Sequence, residues 1–151
     1  MSHRAGHALC VLSDDPHVVV GADLEVVEPR SEAFVREWFT RAEAGQVEAA
    51  PPAEQDLWTT VIWSAKEAVL KVLGLGLSVD TRGVEIRPDP PADPWSPFQA
   101  FCGPFPRIGD RGPFPAGTRV HGAWRRAGDL LLVIAGGAPP ARPVPGSALQ
   151  A

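Results

Sequence analysis

The chain has 151 residues, 44% of them apolar, which supplies one domain with a core and falls short of two full ones. Its net charge of −4 and pI near 5.5 leave no electrostatic footprint for nucleic acid or an anionic membrane surface, although folding can still gather the scattered arginines into a local patch. Cys10 and Cys102 lie far apart without metal-ligand spacing, so two free thiols are expected; nothing reads as a secretory leader or a bilayer-spanning run, and the expected location is the cytoplasm.

In chain order, Ala8–Leu12 and Val18–Val27 are apolar, β-branched runs joined through Asp14, Asp15 and Pro16, a pattern that predicts a β-hairpin. Ser31 is placed to cap a helix over Glu32–Ala44 that Gly45 ends, and Glu54–Leu73 carries the longest helical period, stopped by Gly74-Leu75-Gly76. Thr81–Arg87 reads as a strand. Residues 88–115 are dense in Pro, Gly and aromatics without a period, and are expected to be a looping insertion whose aromatics cover a core edge or face a partner. Arg119–Arg125 and Leu130–Ala135 form a second expected hairpin, and 137–151 are expected to be a disordered tail behind a domain spanning 1–136. The fold class is α+β: an antiparallel sheet packed on a long helix.

Two segments carry more than structure requires. On a helical wheel, Leu57, Val61, Ala65, Ala68 and Val72 form the core stripe, while Thr60, Trp63, Ser64, Glu67 and Lys71 gather opposite. A tryptophan in that polar arc is unexpected; either it touches a neighbouring element beside a Glu67–Lys71 pair one turn apart, or the arc faces a site. Asp23 and Glu25, two apart on a strand, put both carboxylates on one face. Such a pair either sits in solvent or repels until a cation intervenes, and Mg²⁺ takes oxygen ligands of this kind.

Gly21-Ala22-Asp23-Leu24-Glu25 resembles the Gly-x-Asp-x-Glu motif of the 4′-phosphopantetheinyl transferase superfamily. Trp63-Ser64-Ala65-Lys66-Glu67-Ala68-Val69-Leu70-Lys71 resembles its Trp-x-x-Lys-Glu-x-x-x-Lys motif, with Gly74-Leu75-Gly76 as the exit. Phe39 to Glu43 is similar to the family's aromatic-x-x-x-Glu stretch, and Ser2-His3 to the Ser-His motif of the two-lobed members. The resemblance implies transfer of the phosphopantetheine arm of coenzyme A to a serine of an acyl or peptidyl carrier protein. Asp23, Glu25 and Glu67 would hold Mg²⁺, Glu67 or a metal-bound water would be the base, and His3, Lys66 and Lys71 would contact coenzyme A. The match corresponds to the C-terminal lobe of a two-lobed enzyme, so a second lobe, another copy of the chain or a partner domain is expected to complete the site. A non-catalytic protein that keeps the fold and binds carrier proteins is the alternative.

Overall fold

A computed structural model describes residues 1–110 and 112–136. Their elements run β1 (Ser2–Arg4), β2 (His7–Leu9), β3 (Val20–Val26), α1 (Glu32–Trp38), α2 (Arg41–Ala49), α3 (Gln55–Leu73), β4 (Val84–Pro88), β5 (Ser96–Cys102), β6 (Thr118–Ala127) and β7 (Leu130–Gly136). The last five strands in space form one antiparallel sheet in the order β3-β7-β6-β5-β4, and α3 packs across one face of it. The expected α+β class, an antiparallel sheet on a long helix, is the observed one.

Pleating decides which residues meet α3. Asp23 lies opposite Val133 and Glu25 opposite Leu131, and both partners have no solvent exposure. Because paired residues share a face, the two carboxylates stand on the core side of the sheet. A solvated strand face therefore does not describe them: Asp23 is only 5% exposed.

The register is completed by two glycines. A Cβ on Gly21 would lie 2.1 Å from the Ala68 carbonyl oxygen, so its absence lets α3 close on β3. Gly122 lies opposite Phe98, and the space its side chain would take is filled by the Phe98 ring. Gly74 ends α3 in the left-handed conformation (φ 68°), as its sequence position predicts.

Several local expectations are corrected. The run Ala8–Leu12 does not pair with β3; β2 folds back on β1 across Ala5 and Gly6, both at positive φ, and β3 pairs instead with the distant β7. The helix expected over Glu32–Ala44 is two helices. Thr40 starts the second with a reciprocal cap, its hydroxyl accepting from Glu43 N–H while the Glu43 carboxylate accepts from Thr40 N–H, and Gly45 lies inside α2.

Residues 88–115 are not wholly loop, because they contain β5, which sits between β4 and β6 in the sheet. Its inward residues Ser96, Phe98, Ala100 and Cys102 are buried; Phe101 faces outward, between Arg87 and Arg119. Cys10 and Cys102 are free, and burial pushes the Cys102 thiol up to about 11. The expected tail at 137–151 lies outside the described residues. Among the described residues no helix is long and apolar enough to cross a membrane.

Candidate active site

The site is built where α3 crosses the sheet's terminal strand. With Gly21 bare, the polar arc of α3 reaches Asp23 directly. Ser64 Oγ donates to Asp23 Oδ2 at 2.6 Å, and Lys71 Nζ donates to Asp23 Oδ1 at 2.8 Å and to the Ala22 carbonyl at 2.9 Å. From the N-terminal hairpin, Ser2 Oγ donates to Asp23 Oδ1 at 3.0 Å. Four donated hydrogen bonds thus fix this corner, three of them on one carboxylate.

Glu25 faces two guanidiniums, Arg30 at 3.3 Å and Arg4 at 3.5 Å. Even so, its carboxyl titrates above the ordinary range, chiefly because burial disfavours the charge and next because of the Asp23 charge. Glu67 is raised as well, by burial first and then by Asp23, with Lys71 working in the opposite direction. Glu25 adds a smaller raising effect on Glu67, so the three carboxylates feel one another. One oxygen of Glu67, Oε1, is buried and accepts no hydrogen bond among the described residues.

This donor set suits a hard divalent cation: carboxylate oxygens only, mutually repelling, one of them buried and unpartnered. The side chains do not yet converge on a point. Among the described residues no three His, Cys, Asp or Glu side chains stand as a metal-holding group, and Asp23 is paired with Lys71 while Glu25 is paired with Arg4 and Arg30. The Glu67–Lys71 pair that helical spacing allows is not made; Lys71 turns to Asp23 instead.

The remaining expected residues divide. Lys66 is fully buried, with its ammonium 2.9 Å from Glu43 and donating to the carbonyls of Thr81 and Val84. Burial lowers its pKa despite Glu43. Its expected contact with coenzyme A has no route through that packing, and the physical reason is visible on the partner: Glu43 also accepts from Ile86 N–H at 2.8 Å, so the pair bolts α2 and α3 to β4.

His3 is exposed on β1, on the face opposite Ser2 and Arg4, and so is not gathered with the acidic residues. Trp63 meets Phe34 and Trp38 of α1 edge-on, with ring centroids 5.0 and 5.7 Å apart. Arg30 in turn lies over Phe34, so the tryptophan supports the Glu25 partner at one remove. Sequence reasoning assigned no site role to Ser64, Ser2 or Arg30. Ser64 had a signal in its place in the polar arc, and Ser2 in the Ser-His motif; Arg30 had none beyond its charge.

A family model described as the 4′-phosphopantetheinyl transferase superfamily matches residues 19–105, from β3 through β5. The chain belongs to that superfamily. Two curated phosphopantetheinyl transferases of Bacillus subtilis, one of them Sfp of strain 168, are each 28% identical over 87 residues. Those alignments cover 58% of this chain and 38% of each relative. The transferase psf-1 of Bacillus pumilus is 30% identical over 78 residues, covering 52% of this chain and 32% of the relative. The phosphopantetheinyl transferase segment thus corresponds to well under half the length of the relatives it matches.

Proposed function

We propose that this phosphopantetheinyl transferase lobe moves the 4′-phosphopantetheine arm of coenzyme A onto a serine of an acyl or peptidyl carrier protein. The observation that carries the reading is a buried Asp23 tied to Ser64 and Lys71 of the helix whose Glu67 keeps a buried, unpartnered carboxylate oxygen. Asp23, Glu25 and Glu67 would hold Mg²⁺, which when bound supplies Lewis-acid neutralisation of the pyrophosphate and a template for its oxygens.

The chain's own residues do the rest. Glu67 takes the proton of the serine hydroxyl as the serine oxygen–phosphorus bond forms and the pyrophosphate oxygen–phosphorus bond breaks, releasing adenosine 3′,5′-bisphosphate. The buried Glu67 oxygen that no protein donor claims is the one free to take that proton. Lys71, one-third exposed, is the ammonium able to meet a coenzyme A phosphate, and His3 stands free to meet another. Lys66 is left out of that contact set on account of its burial.

The test is incubation with coenzyme A, Mg²⁺ and an apo carrier protein, read by mass spectrometry. A gain of about 340 Da on the carrier, abolished by Glu67→Gln, supports the reading. A folded chain at high concentration that adds no mass, alone or with a supplied second lobe, sinks it. Carrier binding that persists under those conditions without turnover would mark the non-catalytic alternative.

A further inference from the structure

Lys71 does something at Asp23 that phosphate binding does not require. Its ammonium sits 2.8 Å from Asp23 Oδ1 and 2.9 Å from the Ala22 carbonyl, a compact cation held by two oxygens of one strand. Ser2 shares Oδ1 with Lys71, at 3.0 Å, and Ser64 takes one lone pair of Oδ2 at 2.6 Å, so a metal entering at Oδ1 has to displace a donor. Asp23 is buried, with Glu25 two residues along the same face of the strand. A buried aspartate in such company needs a cation at all times.

We propose that Lys71 is the resident counter-ion of Asp23, occupying the oxygen that a divalent cation takes, so that metal loading and the Lys71–Asp23 pair exclude each other. This rests on the metal-site reading above. Displacement by the metal then frees the ammonium, on a helix that holds its stem in place, at the moment an anionic phosphate needs a partner. Metal binding and phosphate capture become one coupled event. Lys71 is therefore a positioning residue in the free protein as well as an expected phosphate contact.

The experiment uses Mn²⁺ alone, with neither coenzyme A nor carrier protein, and reads free Mn²⁺ by electron paramagnetic resonance. Wild type is compared with Lys71→Met, Asp23→Asn and Arg82→Met, the last removing an exposed charge that pairs with Asp80 away from the site. Removing a contacting opposite charge should make Lys71→Met bind Mn²⁺ about tenfold more tightly or better, with Arg82→Met unchanged and Asp23→Asn weakened. Equal or weaker binding by Lys71→Met, while Asp23→Asn still loses affinity, overturns the counter-ion role and leaves the metal site standing. Binding by none of the proteins, or binding insensitive to Asp23→Asn, overturns both readings.

Wild type gives a second measure that needs no variant to fold. In nitrogen-detected NMR of the lysine ammonium groups, saturating Mg²⁺ should shift the Lys71 signal and speed its proton exchange. A Lys71 signal indifferent to bound Mg²⁺ also overturns the proposal.

Discussion

Two ion pairs flank Glu67 on α3, Glu43–Lys66 on one side and Asp23–Lys71 on the other, and the two sit in different media. The first has 1% and no side-chain exposure on its members; in the second, Lys71 is one-third exposed. Both are charged pairs at hydrogen-bond distance, yet only one can exchange its partner. Glu43 accepts from two backbone N–H groups and Lys66 donates to two carbonyls, so any rearrangement would strand backbone polar groups in the core. Lys71 gives up one carboxylate oxygen and one carbonyl with water at hand. The comparison teaches that burial, rather than motif membership, decides which motif lysine is locked in the core and which keeps a changeable partner.

The sharpest way to break that contrast is Lys66→Met. Leaving Glu43 charged and half-partnered in the core should cost about 3–5 kcal/mol, measured by denaturant unfolding. A loss under about 1 kcal/mol would mean the pair is not the bolt described here. Next comes Gly21→Ala, whose methyl would meet the Ala68 carbonyl. Pushing α3 off β3 should cost about 1–3 kcal/mol and weaken the Ser64 and Lys71 contacts with Asp23. Lys71→Met should cost about 1–2 kcal/mol in the same assay, because Asp23 is buried while the lysine end of the pair opens to water. A cost equal to that of Lys66→Met would erase the distinction.

The smallest effect lies in pH. The Glu25 and Glu67 carboxyls have folded pKa values above the ordinary 4.5, so the folded chain keeps those protons to higher pH than the unfolded chain does. Their penalty is absent below 4.5 and grows as pH rises through the raised values, so stability falls across that window. Glu67→Gln should flatten that fall relative to wild type, and added Mg²⁺ should flatten it in wild type. Identical pH profiles for the two proteins would contradict the coupling.

The sequence makes the long helix and its glycine stop readable, because a 3.6-residue period over Gln55–Leu73 and a left-handed Gly74 are both local matters. The shared face of Asp23 and Glu25 is readable for the same reason. What is not local is lost. Thr60 and Ser64 read as part of a polar arc opposite the core stripe, but both are fully buried, their hydroxyls spent on Asp56 O and on Asp23. Polarity marks exposure only when no partner waits inside.

The β5 strand hides because its inward positions include a serine and an alanine while its outward ones include Phe101, which inverts the expected alternation. The partner of β3 is hidden by distance, since β7 follows it by most of the chain. Lys66 shows the same limit inside a motif: the wheel sets it apart from Lys71 on the polar arc, but only the third dimension, through Glu43 and Ile86, shows what holds it.

The Ala22 carbonyl that Lys71 holds belongs to the terminal strand of the sheet. Terminal strands offer unpaired backbone groups to any extended segment that passes, and a lysine folded in against such an edge discourages intermolecular strand addition. Lys71→Met preparations should show more self-association on storage at high concentration than wild type, visible as growth in light scattering, and Lys71→Arg should not.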